Sequence, residues 1–176
     1  MIEPQDGLKA DVADLLQRPN IEWITAGAGA ENRTMPLTIA PFDHSSTFVI
    51  SAEKALSLGM KQLEVPVCTL NQIVRNKGGR IPELVKIDAE GFDLKVIKGA
   101  SDLIGKTEIF LLEAAVAAPG IENTITMTIK NMDELGYQVF DITDLNYSPS
   151  QDVLWLMEIA FVKKDGTIIS KITPNY

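Results

Sequence analysis

Two short apolar runs, each closed by an acid and separated by one helical stripe, constrain this chain more than any other feature. Leu84–Asp88 is the first run and Ile109–Glu113 the second. Between them Phe92, Val96, Ile97, Ala100, Leu103 and Ile104 recur at helical spacing. Strand, helix and strand in that order predict a βαβ unit, in which the two strands run parallel. Further units flank it. Residues 6–17 read as an amphipathic helix with Asp6 as N-cap, followed by a strand over 21–26 and a flexible Gly27-Ala28-Gly29-Ala30 exit. Extended pieces are expected at 34–39 and 47–50, and a loop with a helical turn over 51–62. Val65–Cys68 reads as a strand, and Thr69 as the cap of a helix that Gly78-Gly79 breaks. Ile125, Ile129, Met132 and Leu135 mark another helix, with Gly136 at its C-terminal turn. Residues 137–142 and 153–162 are two strands with no helix between them, predicted to pair antiparallel at one edge. Together these predict an α/β fold with a mostly parallel sheet, in one domain spanning residues 1–176.

In such a sheet ligands bind outside the carboxyl ends of the strands. The acids fall there: Asp88, then Glu90 and Gly91, then Glu113, and Glu3 within Ile2-Glu3-Pro4. A carboxylate so placed can accept both hydroxyls of a ribose, one on each oxygen. The alternative is that Asp88 or Glu90 only complements the N-terminus of the next helix.

Charge narrows the functions. Sixteen basic against twenty-four acidic residues leave a net charge of −8, which argues against a nucleic-acid partner. No apolar run approaches the ~20 residues of a membrane span, and no charged-then-apolar leader opens the sequence, so a cytoplasmic location is expected. One cysteine, Cys68, excludes an intramolecular disulfide and a Cys-rich metal site; it reads as a buried small hydrophobe. The single histidine, His44, lies in the polar loop Asp43-His44-Ser45-Ser46 and reads as a solvated loop residue, with a general-base role as the alternative. Trp23 and Trp155 read as packing. No G-x-G-x-x-G or P-loop follows any strand.

Val65-Pro66-Val67-Cys68-Thr69-Leu70, Leu84-Val85-Lys86-Ile87-Asp88-Ala89-Glu90-Gly91 and Val96-Ile97-Lys98-Gly99-Ala100 resemble the FkbM family of methyltransferases. Leu112-Glu113, Gly136-Tyr137-Gln138-Val139-Phe140 and Ser45-Ser46 add to the match. The resemblance implies a Rossmann-like class I methyltransferase sheet, mostly parallel with an antiparallel C-terminal strand. It implies S-adenosylmethionine as cofactor and O-methylation of a sugar, lipid or natural-product hydroxyl. Asp88, Glu90 and Glu113 are then the catalytic candidates, with Asp88 orienting or deprotonating the acceptor and also bordering the cofactor. Glu3 holds the cofactor ribose, because Ile2-Glu3-Pro4 resembles the family's second strand. His44, Ser45 and Ser46 belong to a substrate loop. No residue is assigned to a metal, and a homo-oligomer is compatible with these readings.

Family members open with a strand and a glycine loop of the Asp-x-Gly-Ala-Asn-x-Gly type, and no such segment occurs in this sequence. The domain is therefore expected to be N-terminally incomplete, lacking the first strand and helix, and to bind the cofactor poorly by itself. The rival expectation is a non-catalytic truncated homologue that serves as a binding or assembly module.

Overall fold

A computed structural model describes residues 1–40, 46–117, 120–148 and 150–173. A 3-10 turn over Asp6–Val12 runs into α1 (Ala13–Leu16); then come β1 (Gly27–Ala28), β2 (Arg33–Ile39), α2 (Ala52–Ser57), β3 (Lys61–Cys68) and α3 (Leu70–Asn76). The second half holds β4 (Leu84–Ile87), α4 (Asp93–Lys98), β5 (Ile109–Ala115), α5 (Ile125–Glu134), β6 (Tyr137–Tyr147) and β7 (Leu154–Lys163). Among the described residues, no helix is long and apolar enough to cross a membrane.

The strands form two sheets, ordered β1-β3-β2 and β4-β5-β7-β6. The expected mostly parallel sheet is corrected by the pairings. Among the described strands, β1 with β3 and β4 with β5 run parallel; β2 with β3, β5 with β7 and β6 with β7 are antiparallel. The cause lies in the last connection. The segment between β6 and β7 is far shorter than the dozen or so residues a parallel crossover needs, so β7 must fold back. It does so into the space between β5 and β6. The helix-linked strands β5 and β6 still share a direction, but β7 separates them.

Side chains alternate across each strand, which divides the larger sheet into two unlike faces. Ile87, Phe110, Leu112, Ala114, Met157, Ile159 and Phe161 form one face, packed against Leu70, Val96, Ile97, Ala100, Leu103 and Met132 from the helices and the turn after α4. Lys86, Glu113 and Glu158 alternate with those residues and therefore lie on the other face. The Tyr137 ring packs edge-on against Phe110 at 5.2 Å between centroids. Its hydroxyl donates to the Thr107 carbonyl at 2.8 Å and accepts from the Gly105 N–H at 3.1 Å.

The expected cap held: the Thr69 hydroxyl caps α3, accepting from the N–H of Gln72. The Thr124 hydroxyl caps α5 in the same way, accepting from the N–H of Met127. Elsewhere tertiary contacts prevail. Asp6 is not the N-cap of the first helix; Gln5 is, and the Asp6 carboxylate instead accepts from the Thr25 hydroxyl at 2.9 Å. The strand expected over 21–26 is reduced to one parallel bridge between Ile24 and Ile2. Gly27-Ala28 is no flexible exit but strand β1, held on β3. A Cβ on Gly27 would stand 2.6 Å from the Phe48 ring, and one on Gly29 2.7 Å from Val67. Close packing demands these glycines.

Candidate active site

The site begins where β4 ends. Glu90 and Gly91 take positive φ angles of 49° and 89°, turning the chain sharply before α4. Gly91 suits that conformation, whereas Glu90 adopts one unfavourable for a residue with a Cβ. Such outliers persist where the surroundings enforce them. Here the Phe92 N–H bonds to the Ala89 carbonyl at 3.0 Å, and the Thr47 hydroxyl donates to the Glu90 carbonyl at 2.8 Å. The rings of Phe48 and Phe92 pack tilted at 44° with centroids 5.4 Å apart, so the segment after β2 is fastened to this turn.

The turn delivers Asp93, the first residue of α4, into the interior with no exposed surface. Asn123 meets it there. Its Nδ2 donates to Asp93 Oδ2 at 3.2 Å and to the Glu113 carbonyl oxygen at 3.0 Å. Its main-chain carbonyl accepts from the Ala115 N–H at 2.9 Å. Glu113 is not the last residue of its strand, as the sequence suggested. Pairing with β7 carries β5 on to Ala115, which leaves the Glu113 side chain over the sheet face.

A cavity of about 380 Å³ opens above these residues, lined by Glu90, Gly91, Glu113, Ile121, Asn123, Asn146, Trp155 and Leu156. Burial pushes the Glu113 carboxyl up to about 7, and the charges of Asp88, Glu90 and Asp93 add to the shift against the opposing charge of Lys86. Burial also raises Asp93 to about 7, with Asp88 assisting and nearby backbone N–H groups opposing. Lys86 is committed elsewhere, to Glu158 at 2.5 Å and Asp88 at 3.6 Å. A carboxylic acid poised near neutrality at a cavity wall can take and return a proton.

Glu90 and Glu113 thus share one cavity, and Asp88, exposed beside it, acts on Glu113 through its charge. Ser46 lies nearby in sequence to Thr47, but its hydroxyl accepts from the Ala40 N–H at 3.4 Å. His44 and Ser45 lie outside the described residues. Glu3 lines a second cavity of about 280 Å³ with Met1, Ile2, Leu8, Asp11, Val12 and Trp23; its Oε1 accepts from the Gln5 N–H at 2.8 Å. Among the described residues no group of three or more His, Cys, Asp or Glu side chains is arranged to hold a metal ion.

Sequence reasoning missed Asp93, Asn123 and Asn146, and it assigned Trp155 to packing. Asp93 lies in the first turn of α4, and Asn123 just before the Thr124 cap of α5. Only the convergence of α4 with the end of β5 makes them a buried pair.

The acids Glu90 and Glu113 thus meet at one cavity on the carboxyl side of β4 and β5. The model of the methyltransferase FkbM domain matches residues 9–139, which is most of the chain. The chain belongs to the FkbM methyltransferase family. No curated protein and no solved structure matches it.

Proposed function

We propose that this domain performs S-adenosylmethionine-dependent methylation of an oxygen nucleophile: a sugar, lipid or natural-product hydroxyl. One observation carries the reading. Glu113 is half-buried at the wall of a cavity large enough for a small acceptor, with its carboxyl raised to about 7. In its ionised form it can accept the proton of an acceptor hydroxyl as that oxygen becomes a nucleophile. Asp88 and Glu90 keep negative charge near Glu113, which raises its basicity, and Asp88 borders the approach to the cofactor. Trp155, Ile121 and Leu156 give the acceptor's carbon skeleton an apolar wall that excludes water.

The second cavity suits a nucleoside. Ile2, Leu8, Val12 and Trp23 can flank a purine, and Glu3 has carboxylate lone pairs for two ribose hydroxyls. S-adenosylmethionine, when bound, supplies an electrophilic methyl group on a sulfonium. The lone Cys68 needs no oxidising compartment, in keeping with a cytoplasmic site of action.

Adenosine tests the nucleoside site, since it needs only the Glu3 cavity. Its binding, followed by Trp23 fluorescence in a Trp155→Phe background, should exceed that of 2′,3′-dideoxyadenosine, and Glu3→Ala should erase the difference. Transfer of radiolabelled methyl to a panel of hydroxyl acceptors tests the base: Glu113→Gln should lose at least ~10²-fold in turnover. Equal binding of the two nucleosides would remove Glu3 from the ribose, and undiminished turnover would remove Glu113 from the chemistry.

A further inference from the structure

Two polar groups on the wall of the acceptor cavity have no part in the proton transfer proposed for Glu113. Asn146, near the end of β6, is exposed, and Trp155, on β7, is half-buried; both line the cavity with Glu113. Among the described residues, neither the Asn146 carboxamide nor the Trp155 indole N–H has a hydrogen-bond partner, and neither is sealed from solvent. Register fixes where they stand. Asn146 lies opposite Leu156, and Leu156 opposite Ala115, so Asn146 shares a sheet face with Glu113, which stands two residues before Ala115. Two strand spacings, about 10 Å, separate β5 from β6. The main chain of Trp155 is fastened to the segment after β5, its carbonyl accepting from the Val116 N–H at 2.9 Å. The β6–β7 hairpin thus presents an amide and an indole to the same cavity as the acid.

We propose that this hairpin selects the methyl acceptor and that the acceptor is a sugar: the apolar face of a pyranose ring lies on the Trp155 indole, and Asn146 and the indole N–H bond hydroxyls beside the one Glu113 deprotonates. This rests on reading the cavity as the acceptor site. The chemistry separates a sugar from other hydroxyl acceptors. A sugar hydroxyl both donates and accepts; a carboxamide complements both roles, and the indole N–H adds a second donor. The indole also offers a flat apolar surface with that donor at its edge. A simple lipid alcohol would cover these groups without bonding them, and the loss of their water would go uncompensated. A pyranose with its hydroxyls and their hydrogen bonds can bridge the gap between Glu113 and Asn146. Both groups stand on paired strands, so little freedom is lost on binding, which is what a specificity contact needs.

Matched probes isolate the hydroxyls. Methyl pyranosides of glucose, galactose and mannose, and methoxycyclohexane as a ring without the hydroxyls, are titrated separately into the ¹⁵N-labelled full chain. The Asn146 carboxamide and Trp155 indole resonances are followed. At least one pyranoside should shift both resonances to saturation. Asn146→Ala, read at the indole, and Trp155→Phe, read at the carboxamide, should each weaken that pyranoside about three- to tenfold, the increment of one neutral hydrogen bond. Neither should change the affinity of methoxycyclohexane, since Phe keeps an aromatic face. Asn146 is exposed, so its variant keeps the test open if the Trp155 substitution disturbs folding. Binding of methoxycyclohexane but of no pyranoside would overturn the sugar assignment while leaving the acceptor cavity standing. So would parallel losses for both probes, the mark of a purely structural role. If no probe moves the resonances, the acceptor cavity and the inference fall together.

Discussion

Glu113 and Glu158 stand directly opposite each other across β5 and β7, yet their carboxyls shift in opposite directions. Burial works to raise both. At Glu158 the hydrogen bonds from Lys86 and Thr143, with the Lys86 charge, outweigh it and hold the carboxyl below its usual range. At Glu113 three neighbouring carboxylates reinforce burial instead. Lys86, on the neighbouring β4, is spent on Glu158, and the site acid Glu113 is left to bind a proton.

That difference fixes how stability follows pH. Glu113 and Asp93 both titrate near 7 in the folded chain, against roughly 4.3 and 3.9 when unfolded. Folding therefore favours their protonated forms. Their contribution is complete below the unfolded values and is lost as pH rises from about 4 to about 7. Glu158 is shifted the other way, so its contribution is present above about 4.3 and lost below. The thermal midpoint should rise as pH falls from about 8 to about 6, and Glu113→Gln and Asp93→Asn should each reduce that slope. A midpoint that falls over this interval, with both variants tracking the parent, would contradict the assignment.

The Lys98-Gly99-Ala100 match has a steric basis. Gly99 ends α4 at φ −81°, a conformation open to any residue, but its Cβ would lie 2.0 Å from the Gly29 carbonyl oxygen. The neighbour is backbone and cannot swing aside. Gly99→Ala should cost about 1–3 kcal/mol or more by overpacking, measured by urea unfolding. Gly7 meets nothing within 4 Å, so Gly7→Ala serves as the control with no steric penalty.

Tyr137 is fully buried and its hydroxyl joins the Thr107 carbonyl to the Gly105 N–H. Tyr137→Phe keeps the edge-on contact with Phe110 but leaves both backbone groups without that partner. A loss of about 1–3 kcal/mol in unfolding free energy is expected. A neutral substitution would mean that water replaces the hydroxyl.

The elements that were legible in the sequence depend on local chemistry. Thr69 and Gly136 act within their own turns, and the apolar runs Leu84–Asp88 and Ile109–Glu113 needed only a core to bury them. Strand order was not local. Nothing in residues 154–163 specifies that β7 inserts beside β5, and this insertion makes the sheet mixed and carries Glu113 inside its strand. Asp88 and Glu90 were recognisable as acids behind a strand end, and Glu113 as an acid in the next strand. Their ranking was not, because Lys86 pairs with Asp88 and burial acts on Glu113 only once β7 and the Asn123 segment close over it.

A ¹³C-detected titration of the Glu113 carboxyl, assigned through Glu113→Gln, tests most directly whether the fold creates a base at this cavity. The folded chain should show this carboxyl titrating near 7, and the midpoint should move down when Asp88→Asn removes one of the neighbouring charges that hold it up. A midpoint near 4.3, the ordinary value for glutamate, would show that Glu113 is a solvated surface acid and that the proposed base does not exist.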